Sequence, residues 1–196
     1  GLPQQKPFDG KRFEAAIAEL LAACGMLPDG HLLDTPRRVR ELWQTRLISG
    51  YASDVAEVLG PGFADDSTDL VVLRNVAVHA ICPHHLVPFR GLAHVAYVPG
   101  GRLHGFGRIA RLVDCLANRF TYQEWLPREI VDALVAQGHA QGAACQIEAE
   151  QFCLLLGENR RGDERVVTQA FSGVFENDPA LRASYFQALQ KYPDPE

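Results

Sequence analysis

The segment "ICPHHLVPF", Ile81 to Phe89, places one thiol and two imidazoles within four residues. Cys82 and His85 stand at C-x-x-H spacing, which in a turn lets both side chains converge on one ion. Zinc takes sulfur and imidazole donors at about 2.0–2.3 Å and needs three or four of them. Cys153, far along the chain, is the candidate third ligand. Three protein ligands without a fourth describe a catalytic zinc that keeps a position for water, rather than a closed structural site. The same residues also read as two small core cysteines and a turn histidine with satisfied hydrogen bonds. His84 points elsewhere, because adjacent turn residues diverge. It is a candidate general acid and base, or else a surface histidine.

Two further stretches carry recognition chemistry. In "TYQEW", Thr121 to Trp125, the Glu124 carboxylate can accept two hydrogen bonds from adjacent N–H groups of a guanine-type ring. A ring lacking those donors leaves the carboxylate unsatisfied, so such pairing discriminates strongly. In "FGRIARL", Arg108 and Arg111 lie one turn apart at an expected helix start. That arrangement suits a phosphate, and it equally suits solvated helix charges. Neither G-x-x-x-x-G-K-[ST] nor G-x-G-x-x-G occurs, so Walker-type and Rossmann-type nucleotide binding have no support.

The elements that must hold these groups follow from periodicity. "KRFEAAIAELLAACGM" (11–26) predicts an amphipathic helix closed by Gly25, and "LLDTPRRVRELWQTRL" (32–47) a second, capped by Asp34 or Thr35 with Pro36 in its first turn. A Gly/Pro/Asp-rich connection follows, and from Asp69 the period changes to two. Strands are expected over 70–81 and 90–99, helices over 107–120 and 126–138, strands over 143–156 and 165–175, and a closing helix from 178 capped by Asp178. On the 143–156 strand, Ile147, Ala149, Gln151 and Cys153 would share one face. If Cys153 faces a metal, Gln151 looks into the same pocket, where its amide can hydrogen-bond but carry no proton. Two helices, then ββααββ and a last helix, imply an α+β fold with an antiparallel sheet. A boundary near residue 66 separates an N-terminal helical extension (1–66) from a catalytic domain (67–196).

Composition excludes several classes. The 196 residues are 47% apolar, with a net charge of −5, so no basic surface invites nucleic acid or an anionic membrane. No apolar run reaches the roughly 18 residues of a membrane span, and the start "GLPQQKPFDG" has no signal-peptide core. Five irregularly spaced cysteines fit reduced cytoplasmic thiols better than a disulfide framework.

The blocks "DTPRRVRELW", "CPHHLVPFRGLAHVAYVP", "GFGRIARLVD", "QEWL", "IEAEQFC" and "GVFENDP" resemble GTP cyclohydrolase I in order and spacing, over nearly the whole chain from Asp34. The resemblance implies the tunnelling fold, whose ββααββ units form a β-barrel ring, typically a pentamer stacked into a decamer, with active sites between subunits. It implies zinc held by Cys82, His85 and Cys153, catalysis by His84, and guanine recognition by Glu124 with Gln123. Arg38, Arg108 and Arg111 fall at or near its phosphate-contacting positions. The family reaction hydrolyses C8 of guanine through a ring-opened formamide, releases formate, and rearranges the ribose to give dihydroneopterin triphosphate.

Four positions depart from the family pattern. Gln151 replaces a second active-site histidine, Pro83 the glutamate of C-E-H-H, Gly107-Arg108 a Ser-Lys pair, and Leu156-Gly157-Glu158 the segment M-R-G, whose arginine binds phosphate. Arg160 or Arg161 is the expected substitute for that arginine. Departures confined to the pocket lead to the expectation of a divergent zinc cyclohydrolase acting on a guanine-type nucleotide or related purine, stopping at a formamidopyrimidine or using a substrate other than GTP. Ordinary GTP cyclohydrolase I is the alternative. An inactive purine-binding or pterin-binding regulatory ring is another, and a nitrile reductase of the same fold is disfavoured by the C-x-H-H pattern.

Overall fold

The computed structural model describes residues 1–26, 29–157 and 162–190. Helices α1 (Gly10–Ala23), α2 (Thr35–Leu42) and α3 (Val55–Leu59) come first, followed by β1 (Phe63–Ala64), β2 (Val71–Ile81), β3 (Pro88–Val98) and β4 (Arg102–Leu103). Then come α4 (Phe106–Ala117), α5 (Leu126–Ala136), β5 (Gly142–Gln151), α6 (Phe152–Leu155), β6 (Val166–Gly173), α7 (Val174–Asn177) and α8 (Pro179–Gln190). The main sheet runs β2-β3-β5-β6 with every neighbour antiparallel, and β1 pairs separately with β4. This is the expected α+β arrangement of two hairpins around two helices.

Alternation along the strands decides what each face does. Val78, Ala80, Phe89, Val95, Tyr97, Cys145 and Ile147 point to one face and form a single core with Ile109, Leu112, Val113 and Leu116 of α4 and with Leu126, Ile130 and Leu134 of α5. The α4 stripe is the one its spacing predicts. On the other face, Ala96, Val98 and Ala144 pack with Phe171 against Tyr185, Phe186 and Leu189 of α8. Asp178 caps α8 as expected, its Oδ1 accepting from Leu181 N at 2.9 Å. At α2 the expected cap is not made by a side chain: Asp34 holds the N-cap position, but its carboxylate pairs with Arg37 instead.

Several elements differ from the sequence expectation. The second helix stops at Leu42 and continues as a wide π turn, Trp43–Leu47, which carries Trp43 between the rings of Phe13 and Phe120. The strand expected over 70–81 is broken in register between Leu73 and Val76, with Asn75 in the left-handed region at φ 57°. The last strand ends at Gly173, where φ is 62° and a Cβ would lie 2.2 Å from Gln141 O. The strand expected to run through Cys153 ends at Gln151, so Cys153 sits in the short helix α6 and not on the strand face. Gln151 pairs with Phe89, and β3 begins only one residue earlier, at Pro88, which has no N–H to give. Past that point the backbone has no partner strand and satisfies itself in a helical turn.

Candidate active site

Three chain segments meet at the end of the sheet where β2 stops and β3 starts. The Cys82–Val87 turn is closed by Cys82 N donating to Val87 O at 3.0 Å and Leu86 N to Cys82 O at 3.1 Å. Closing it puts Leu86 at φ 55°, a conformation that a branched side chain adopts at a cost. Cys82 points inward, 8% exposed, while His84 and His85 stand in solvent. The second segment, Phe120 to Trp125, is tied to the turn by Thr121 N donating to Ile81 O at 3.2 Å. It brings the Tyr122 ring to 4.8 Å from His84, and Trp125 meets Tyr122 edge-on at 4.6 Å. The third segment is the end of β5, which carries Gln151 and, in α6, the half-buried Cys153.

Register explains the convergence. Ile81 pairs with Pro88, and Phe89 pairs with Gln151, so the turn and the end of β5 are neighbours on one rim. Cys82, His85 and Cys153 therefore share that rim, and both cysteines are free thiols. Among the described residues, no three His, Cys, Asp or Glu side chains draw together closely enough to hold a metal. Two thiols and an imidazole on one rim nonetheless fit zinc by the chemistry of the donors.

Gln123 occupies a different place from the one its pairing with Glu124 suggests. It is 2% exposed, and its amide nitrogen donates to Ile147 O at 3.2 Å and Val166 O at 2.7 Å. Its Oε1 accepts from Gln151 Nε2 at 2.5 Å, and its own carbonyl accepts from the Thr168 hydroxyl. The side chain is spent inside the protein and braces β5, β6 and Gln151. Glu124 is exposed and makes no hydrogen bond to any described residue.

The side chains of the three arginines are engaged by backbone carbonyls. Arg108 donates to Glu57 O and Val58 O and so closes the end of α3, Arg111 donates to Gly107 O, and Arg38 donates to His31 O. A helix rises about 1.5 Å per residue, which sets Arg108 roughly 14 Å from the Ala117 end of α4. Just beyond that end, Phe120 bridges to Ile81 beside the Cys-His turn. Arg160 and Arg161 lie outside the described residues.

Sequence reasoning passed over Tyr122 and Trp125. Their signal was available: two aromatics three apart, flanking an acid, beside a helix start. It also passed over a cleft of about 480 Å³ on the opposite sheet face, lined by His79, Arg90, Glu148, Glu150 and Arg165 among others. There Glu150 bonds Arg90 at 2.6 Å and Arg165 at 2.8 Å. The Arg90 hydrogen bond, with Arg165 adding its charge, holds the Glu150 carboxyl below the usual carboxylate range.

The profile of one protein family, GTP cyclohydrolase I, matches residues 13–190. The chain belongs to the GTP cyclohydrolase I family. Among curated members, GTP cyclohydrolase 1 of Chromobacterium violaceum is 58% identical over 191 residues, covering 97% of this chain and 93% of that protein. GTP cyclohydrolase 1 of Ralstonia nicotianae is 56% identical, covering 97% and 91%. That of Corynebacterium aurimucosum is 38% identical, covering 96% and 97%. The chain is thus a cyclohydrolase, and its antiparallel sheet with layered helices fits the tunnelling fold of the GTP cyclohydrolase I family. Among the described residues no helix is long and apolar enough to cross a membrane.

Proposed function

We propose that the chain is an ordinary GTP cyclohydrolase I, which hydrolyses both bonds of guanine C8, releases that carbon as formate and forms dihydroneopterin triphosphate. The observation that carries this reading is 58% identity over 97% of the chain to a protein of that name. Identity at this level along the whole length supports GTP as substrate better than four altered pocket positions support another purine. Cys82, His85 and Cys153 would hold zinc at the rim. The ion's contribution there is Lewis acidity, which makes hydroxide available near neutral pH.

The chain's own groups divide the remaining work. His84, in solvent with its ring against Tyr122, accepts and returns protons at the purine nitrogens. Glu124, whose carboxylate has no internal partner among the described residues, receives the paired N–H groups of guanine. Gln123 serves from behind, through Gln151. Arg108 stands most of a helix length from the rim of its own chain, and Arg38 and Arg111 are engaged by backbone carbonyls. That separation supports a site shared between subunits of a homo-oligomeric ring, in which a neighbour's arginines meet the triphosphate.

A second reading, arrest at the ring-opened formamidopyrimidine, is favoured by one observation: the amide of Gln151 cannot carry a proton. Incubating the zinc-loaded protein with GTP separates the two. One formate per pterin formed, with pterin fluorescence, supports the ordinary activity. Accumulation of a formamidopyrimidine without formate supports arrest, and an unchanged nucleotide contradicts both.

A further inference from the structure

The two glutamines behind the rim form a hydrogen-bond chain with only one workable direction. Gln123 lies with its amide against Ile147 O at 3.2 Å and Val166 O at 2.7 Å. Carbonyl oxygens only accept, so the Gln123 NH2 must face them, and both of its protons are consumed. Reversing this amide would press its oxygen on two buried acceptors. Gln123 Oε1 is therefore the end that meets Gln151, and at 2.5 Å it requires a donor, the Gln151 NH2. The opposite end of the Gln151 amide, Oε1, is then the free one. No described residue donates to it, and it is not among the buried unpaired atoms.

We propose that Gln123 is a positioning residue that acts through Gln151, locking its amide so that a fixed carbonyl acceptor faces the reacting purine beside Cys153 and His84. The inference rests on the proposed activity for its substrate and on the geometry alone for the lock. A fixed acceptor repels a bare ring-nitrogen lone pair and attracts that nitrogen once it carries hydrogen, as it does when the ring is protonated or opened to the formamide. Its effect falls on kcat rather than on KM. Position 151 thus contributes orientation and selective hydrogen bonding instead of proton transfer.

A double-mutant cycle on the zinc-loaded protein with GTP tests this. Gln151→Leu should lower kcat by about tenfold, with KM changed by less than about twofold. Gln123→Leu should give the same split, and adding it to Gln151→Leu should cost no further activity. Losses that multiply in the double variant, or that fall on KM, would overturn the proposal. Where Gln123→Leu does not fold, Gln151→Asn replaces it: its shorter amide cannot reach Gln123, and an undiminished kcat would overturn the lock. Crystal structures of the parent and the Gln123→Leu or Gln151→Asn protein provide an arm independent of turnover. A residue-151 amide that turns away once it loses Gln123 supports the lock, and one that keeps its orientation contradicts it. If the parent leaves GTP unchanged, the proposed activity fails while this structural arm still decides the lock.

Discussion

At one end of the main sheet, where Val95 pairs with Cys145 and Ala96 with Ala144, side chains are buried on both faces. Helices α4 and α5 cover one side there, and α8 covers the other with Tyr185, whose hydroxyl donates to His94 O at 2.8 Å. At the opposite end, where Phe89 meets Gln151, the strands run out and the chain turns from the buried Cys82 to His84 and His85, which stand in solvent. The cysteines make the contrast chemical. Cys145 is fully enclosed, and burial pushes its thiol far above the ordinary range, so it is a small apolar core residue. Cys82 and Cys153 lie where strand pairing ends. The same residue type is sealed in the core at one end of the sheet and stands at the limit of strand pairing at the other.

The sharpest way to break this contrast is to change the cysteines in parallel. Cys153→Ser should abolish zinc retention and lower GTP turnover on the order of 10⁴-fold, since the several kcal/mol supplied by the ion go with it. Cys145→Ser should keep zinc and turnover while losing about 1–3 kcal/mol of stability to a buried hydroxyl. Metal content and denaturant melts measure both, and a reversal of the two phenotypes would dissolve the distinction. His84→Asn probes the exposed end without touching the donors: kcat should fall about 10³-fold with zinc content unchanged. Tyr185→Ala probes the packed end and should cost about 3–5 kcal/mol, with turnover per folded molecule preserved. Tyr185→Phe, which loses only the bond to His94 O, should cost about 1 kcal/mol.

The smallest effect concerns pH. Because the folded protein depresses the Glu150 carboxyl, chiefly through Arg90, the stability this group adds is present above its unfolded value, about 4.3. It is lost as pH falls through the lower, folded value. Melting temperature followed from pH 7 down to pH 3 should therefore fall less steeply for Glu150→Gln than for the parent. Identical acid limbs would show that the Arg90 and Arg165 contacts add nothing in solution.

Local features were the legible ones. The α4 stripe of Ile109, Leu112, Val113 and Leu116, the Asp178 cap and the order of strands and helices depend on neighbours in sequence, and periodicity reads them directly. The end of β5 was not legible, because it depends on where another strand begins, and Pro88 sets that. Gln123 read as a ligand contact beside Glu124, yet its amide is consumed by carbonyls of Ile147 and Val166, residues far along the chain. Arg108 and Arg111 have a spacing that suits phosphate, but where their side chains go is decided by α3 and by the helix backbone. Spacing reports which groups exist, while tertiary contacts decide which remain available.

The fate of guanine C8 tests the proposed activity most directly. With the protein zinc-loaded and supplied with GTP labelled at C8, the label should leave as formate in step with dihydroneopterin triphosphate. Label retained in the purine, or in an opened ring that never releases it, would contradict the account.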